Sequence, residues 1–526
     1  MRDFQLPGRS AVFASNGMCA TSHPLAARSA VRILEDGGNA VDAAIAAAVL
    51  LGICEPQSTG MGGDCFALVK LPNDGRIIGL NGSGRAPAKA CADNLRDRGH
   101  RIIEEFGVDA ITVPGAIDAF CRLSEDYGRL SLGQVLQPAI HYAEEGVPVS
   151  PRVARDWPAA SEKLRGSARK HYLLDGKAPV AGDTVRFPGQ AEVLRRVARN
   201  GRDGFYMGEV AEDMIASLQA LGGLHTVEDF ATTRCEYTEP ISANYRGIDL
   251  VEHPPNGQGA AAIVLANILE QFNLTALEPF GVERTHIEVE AAKLAIDARD
   301  RFISDPESCD RLPHLLDKEV GKDLASLIEH DKVLEKPHEA TEAIHRDTVY
   351  LTVVDRDLMM VSMIYSIFSG FGSGLASEKF GVNFHNRGAG FNLIPGHPNE
   401  LEAGKRPMHT IIPAMLREGD RVFMSFGVMG AHYQAIGHAR FLTNMMDFGF
   451  DPQAALDGPR SFPELGETQL ERGYSDAVRR GLSDIGHNVT TPDAPLGGGQ
   501  AIKIDHERGT LIGASDPRKD GCALGY

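Results

Sequence analysis

Residues 347–367 constrain the fold of this chain more than any other stretch. Asp347-Thr348-Val349-Tyr350-Leu351-Thr352-Val353-Val354-Asp355 is dense in β-branched and aromatic residues and reads as a strand. A turn at Asp355-Arg356-Asp357 follows, then a second strand from Met359 to Ile367. The two strands pair antiparallel. A turn centred near residue 357 sets Thr348 opposite Ser366, so two hydroxyls meet across the ladder. Next comes Ser369-Gly370-Phe371-Gly372-Ser373-Gly374, a loop whose backbone can approach a ligand closely.

Helical patterns alternate with strand pairs along the rest of the chain. Pro24 to Asp36 has helical spacing and stops at Gly37-Gly38. Asn39-Ala40-Val41-Asp42 opens an Ala-rich helix to about Leu51. Cys65 to Lys70 and Ile77 to Asn81 read as a hairpin around Asn73-Asp74-Gly75. Helices are predicted over Gly115–Tyr127, Leu132–Glu145, Arg284–Phe302 and Tyr433–Phe448, with strands at Ile248–Glu252, Gln500–Ile504 and Leu511–Gly513. Antiparallel pairs, rather than single crossover strands, favour an α+β fold of stacked sheets flanked by helices over a doubly wound parallel sheet.

No Pro/Ser/Gly-rich linker, charge block or repeat divides the 526 residues. The formal net charge of −18 argues against a nucleic-acid partner. The eight cysteines lack CxxC spacing, and neither Glu252-His253 nor His432/His438 has a third ligand at metal spacing, so no metal and no other cofactor is expected. Free thiols, an N-terminus without an apolar core segment, and an apolar stretch (Ala43–Ile53) too short for a bilayer together suggest a cytoplasmic protein without membrane contact. Gly60-Met61-Gly62-Gly63 lacks the lysine of a phosphate loop and reads as a packing turn.

Ala20-Thr21-Ser22-His23-Pro24, Gly37-Gly38-Asn39-Ala40-Val41-Asp42-Ala43-Ala44, Glu55-Pro56-Gln57-Ser58-Thr59-Gly60-Met61-Gly62-Gly63, Val113-Pro114-Gly115, Tyr245-Arg246-Gly247, Arg406-Pro407 and Gly513-Ala514-Ser515-Asp516-Pro517-Arg518 form an ordered series of short motifs. The series resembles the γ-glutamyltransferase family of N-terminal-nucleophile hydrolases. The resemblance implies a four-layer αββα sandwich. It also implies self-cleavage between Asp347 and Thr348, by attack of the Thr348 hydroxyl on the Asp347 carbonyl. The products are a large subunit, 1–347, and a small subunit, 348–526, intertwined as one domain; a homodimer of that heterodimer is one assembly it allows. The freed Thr348 is then both nucleophile and, through its α-amine, base. Ser366 falls at the family's second hydroxyl, and Gly430 and Ala431 fall at its oxyanion pair, where backbone N–H groups act and alanine is tolerable if its φ is ordinary.

The substrate positions depart from the family. The Asn and Asp that hold a substrate ammonium are replaced by Phe368 and Gly390, and the paired serines by His409 and Thr410. The carboxylate-binding Arg position holds Ser83; Arg85, two residues on, shares its face if the segment is extended. A pocket that keeps a cation and loses its amine site suits a small carboxylate-bearing amide. This resembles the oxamate amidohydrolase subgroup, active in purine-ring breakdown, which yields oxalate and ammonia. Glutaryl-type acylases, a γ-glutamyl hydrolase or transferase acting on glutathione, and an uncleaved binding relative are the alternatives.

Overall fold

The computed structural model describes residues 5, 8–72, 75–334 and 348–526; Asp347 and the Asn73-Asp74 turn lie outside the described residues. Two seven-stranded sheets dominate, and every neighbouring pair in them is antiparallel. The first runs Val12–Ala14, Thr510–Ser515, Gly498–Asp505, Arg421–Met429, Ala414–Glu418, Ile248–Glu252, Ile241–Tyr245. The second runs Cys522–Gly525, Met18–Thr21, Val349–Val354, Met360–Ser366, Asp64–Lys70, Ile77–Gly82, Glu236–Thr238. Both sheets combine strands from before residue 335 with strands from after residue 347.

The central hairpin has the expected register: Val349 faces Tyr365 and Val354 faces Met360, so one further step brings Thr348 to Ser366. Asp355 closes the turn, accepting the Asp357 and Met359 amides at 3.0 Å. Its other oxygen accepts the Ala40 amide at 2.9 Å, at the start of the Ala40–Cys54 helix. A carboxylate is favoured at a helix N-terminus, and this one ties hairpin to helix.

Side-chain alternation then decides the layers. Val349, Leu351, Val353, Val361, Met363 and Tyr365 point outward into one core with the Ala40–Cys54 helix, all of whose residues are buried. Tyr350, Val354, Met360 and Ile364 point the other way, toward the facing sheet, where they meet Met415, Val422, Met429 and Ile502. The outer face of the first sheet is covered by the Gly259–Leu269, Val282–Phe302 and Tyr433–Met446 helices. The result is the four-layer αββα sandwich. Even-numbered residues of the hairpin lie between the sheets, and this parity carries Thr348 and Ser366 to the inter-sheet face. Hydroxyls line that face: Tyr350 Oη lies 2.7 Å from Ser362 Oγ, and Thr352 bonds Ser425. All eight cysteines are free, and among the described residues no helix is long and apolar enough to cross a membrane.

Candidate active site

Thr348 Oγ1 lies 3.1 Å from Ser366 Oγ, with both residues buried. The Ser366 hydroxyl oxygen also accepts the Phe368 amide at 2.9 Å. Phe368 has φ +79°, a conformation bulky residues rarely adopt. The turn lays its ring under a guanidinium: Arg387 Cζ sits 3.9 Å from the ring centroid. Arg387 Nη1 donates to Thr410 Oγ1 at 3.0 Å, and Nη2 lies 3.5 Å from Ser366 Oγ. A fully buried arginine thus stands next to the hydroxyl pair.

Behind it lies a buried carboxylate. Asp64 Oδ2 is 3.1 Å from His409 Nε2 and 3.4 Å from His385 Nδ1; Oδ1 accepts the Gly84 and Gly115 amides at 3.0 and 3.2 Å. Burial alone would raise the Asp64 pKa. The His385 and His409 imidazoles and the Arg387 charge outweigh it and hold the carboxyl at about 2. Burial, reinforced by Arg387, pushes His409 down to about 3, so at neutral pH a neutral imidazole donates Nε2–H to an ionised Asp64. His385 is lowered as well, chiefly by burial.

These directions fix an acid limb of stability. Below the ordinary imidazole value the unfolded chain takes up protons that buried His409 refuses, so stability falls as pH drops below about 6.5. Asp64, depressed in the fold, contributes stability above its unfolded value near 4, and about 2 kcal/mol of it is lost as pH falls to 2. Urea midpoints measured from pH 7 to 2.5 should fall throughout this range; a flat profile between 6.5 and 4 would contradict the buried-neutral assignment.

Gly430 and Ala431 follow the Arg421–Met429 strand, whose last residue packs in one cluster with Tyr350. Gly430 has φ +113°, and a Cβ there would lie 2.9 Å from Gly497 Cα. Ala431 has φ +48° rather than the ordinary value expected of an alanine. Its carbonyl accepts from Gln258 Nε2 at 2.8 Å and from the Gln434 amide at 3.1 Å, which fixes the peptide orientation. Ala431→Gly should relieve the strained backbone and raise stability by up to about 1 kcal/mol, net of glycine's entropy, read as a higher urea midpoint. Glu252 and His438 come together beneath this strand. His438 Nδ1 bonds Glu252 Oε1 at 2.7 Å, and Nε2 accepts the Val428 amide at 3.2 Å.

A family model described as gamma-glutamyltranspeptidase matches residues 26–526. The chain belongs to the gamma-glutamyltranspeptidase family. The glutathione hydrolase-like YwrD proenzyme of Bacillus subtilis (strain 168) is 37% identical over 530 residues, covering 98% of this chain and 99% of the relative. The oxamate amidohydrolase proenzyme of Klebsiella pneumoniae subsp. pneumoniae is 33% identical over 532 residues, covering 97% and 99%. Cephalosporin acylase from Bacillus halodurans shares the fold at a TM-score of 0.93 and 38% identity, covering 100% of this chain and 99% of its own. This chain is therefore an N-terminal-nucleophile amidohydrolase, with relatives made as proenzymes.

Within this gamma-glutamyltranspeptidase-family pocket, one expected residue is elsewhere. Arg85 does not face Ser366: its guanidinium bonds Glu236 Oε1 at 2.8 Å and the Gly404 carbonyl at 3.0 Å. The strand stops at Gly82, and Ser83 turns back so that its amide meets Asn81 Oδ1, so side-chain parity does not carry to Arg85. Arg387 is the cation beside the hydroxyls instead. It stands three residues before Gly390, in the run Asn386-Arg387-Gly388, and an Arg beside a vacated acidic position was the available signal. Gly390 is closely packed, since a Cβ there would lie 2.6 Å from the Met408 carbonyl oxygen. Asp64 and His385 carried no sequence signal; Asp64 merely opens an apolar strand. Gly63 packs against the Ser366 carbonyl, as a packing turn should. His286, Glu290 and His487 also meet, but the two imidazoles bond each other at 2.8 Å and Glu290 holds Lys293 at 2.6 Å.

Proposed function

We propose that the chain cuts itself before Thr348, and that the new N-terminal threonine hydrolyses amides whose acyl half carries a carboxylate and no α-ammonium. The observation carrying this reading is Arg387, stacked on Phe368 and in contact with Ser366 and Thr410. A guanidinium is matched to a carboxylate, bidentate where geometry allows. The positions expected to hold an ammonium are an aromatic ring and a glycine without room for a side chain, and a buried ammonium without a carboxylate is costly.

The contacts from Thr348 to Ser366 and from Ser366 to Arg387 keep the cation within two hydrogen-bond lengths of the nucleophile. That suits a short acyl group, and oxamate, whose carboxylate adjoins the amide carbon, is the leading small substrate. The Thr348 α-amine, ordinarily titrating near 7.7–8.0, takes the hydroxyl proton as Oγ1 attacks the carbonyl carbon. The oxyanion faces the Gly430 and Ala431 amides, and Ser366 orients the nucleophile. The C–N bond breaks as the α-ammonium returns its proton to the departing nitrogen. Water then hydrolyses the threonyl ester, giving oxalate and ammonia from oxamate. His409 sets the pocket through Asp64 and does not touch the reacting atoms. Two subunits, 1–347 and 348–526, result from the cut.

The test compares ammonia released from oxamate with glutamate released from glutathione by the self-cut protein. Faster turnover of glutathione would overturn the acyl assignment in favour of a γ-glutamyl hydrolase.

A further inference from the structure

The Val282–Phe302 helix carries His286 and Glu290 four residues apart, hence one above the other on a single face. The Asp476–Ile485 helix stops at Gly486, whose φ of +110° turns the chain so that the His487 amide reaches back to the Leu482 carbonyl at 3.1 Å. That turn delivers the His487 ring to His286, 201 positions away in sequence. One ligand atom from each of His286, Glu290 and His487 lies within 4.8 Å of the others. His286 and Glu290 are fully buried, and His487 is 5% exposed. Residues so far apart share no local spacing, so the sequence expectation of no metal did not extend to them.

Hydrogen bonds fix which atoms face inward. His286 Nε2 lies 2.7 Å from the Glu329 carbonyl oxygen, which only accepts, so Nε2 carries the hydrogen and Nδ1 keeps a lone pair. His487 Nε2 donates to that lone pair at 2.8 Å, and its Nδ1 accepts the Thr468 hydroxyl at 3.0 Å. Glu290 Oε2 accepts the Leu334 amide at 2.9 Å. Its Oε1 holds the Lys293 ammonium at 2.6 Å and lies 3.8 Å from His487 Nε2. Each of the three residues is therefore anchored by the polar atom that points away from the centre, the arrangement that orients metal ligands. The centre itself is held by one imidazole hydrogen and one ammonium. Lys293 and His487 also line a cavity of about 730 Å³, which gives an ion a way in and the ammonium a way out.

We propose that His286 Nδ1, His487 Nε2 and Glu290 Oε1 bind a divalent transition cation of the zinc class. Two imidazoles and a carboxylate suit such an ion, whereas magnesium and calcium call for oxygen donors. On binding, the His487 hydrogen moves from Nε2 to Nδ1, where Thr468 Oγ1 accepts it instead of donating, and Lys293 turns its ammonium into the cavity. No proton is lost and no electron moves. Three protein ligands leave a fourth position for water. His286 and Glu290 precede Thr348 and His487 follows it, so the ion cross-links the two sides of the proposed cut.

The experiment titrates chelator-treated protein calorimetrically with zinc chloride and, separately, with magnesium chloride. Zinc should bind at one ion per chain and magnesium should not. His487→Gln removes the ring nitrogen and should weaken zinc binding by about 100-fold or more, beyond the loss usual for an outer hydrogen-bond partner. Lys293→Met removes the opposing ammonium and should tighten binding roughly threefold or more. Saturating zinc should raise the urea midpoint of the parent and not that of His487→Gln. Equal binding of magnesium, absence of one-to-one zinc binding, or an affinity unmoved by both variants overturns the proposal. Where the buried variant fails to fold, an affinity that Lys293→Met does not tighten overturns it as well. Thr348→Ala should bind zinc as the parent does, which keeps this result apart from any failure of the hydrolytic reading.

Discussion

Thr348→Ala is expected to run as one uncut chain on a denaturing gel and to lose amide hydrolysis by about 10⁴-fold or more. The methyl group keeps the strand and its register, because Val349–Val354 holds its six partners without help from the hydroxyl. What disappears is the Oγ1 atom 3.1 Å from Ser366 Oγ, and with it any α-amine exposed by cleavage. Thr348→Ser should still cut itself, more slowly, since the hydroxyl remains while the methyl that restrains its rotamer is gone. Ser366→Ala should be milder, one to two orders of magnitude by the usual scale for a positioning hydrogen bond. An alanine variant that still splits into two bands would put the nucleophile elsewhere.

Arg387→Met should cost roughly 2–5 kcal/mol in transition-state binding of a carboxylate-bearing acyl group, a loss of about 30-fold to several thousand-fold in kcat/KM. Methionine keeps the apolar contact with Phe368 while removing the fork that meets Thr410 and Ser366. Arg387→Lys should recover only part of the loss, because an ammonium neither stacks on the ring nor pairs in a bidentate way. Arg387→Met should also raise the Asp64 pKa, since the Arg387 charge is one of the influences holding that carboxyl down. Steady-state kinetics with acyl groups that carry or lack a carboxylate separate a clamp from a structural arginine. Equal losses for both would make the residue structural.

The hairpin was legible because strand parity is strict: once the turn centre is known, partners follow by counting, and the side of the sheet follows with them. The same rule misled at Arg85, where parity was extended past Gly82 into a segment that is no longer a strand. Arg387 was hidden for a different reason. Its relation to Ser366 depends on how the loop from Ser369 to Asn386 folds back, and no local spacing encodes that return. Ala431 shows a third limit, since a residue type constrains φ only as a preference and tertiary contacts to Gln258 and Gln434 overrode it here. The Asp64 carboxylate, joined to residues 51 and 345 positions away in sequence, needed three-dimensional coordinates.

The mixing of early and late strands within both sheets bears on refolding. An intact precursor regains its native state in a unimolecular process, whatever its dilution. After scission neither fragment owns a complete sheet: the Val349–Val354 and Met360–Ser366 strands lie between Met18–Thr21 and Asp64–Lys70. Recovery from denaturant then requires two chains to meet, so its yield depends on protein concentration, and the mature enzyme persists through slow unfolding rather than ready renaturation.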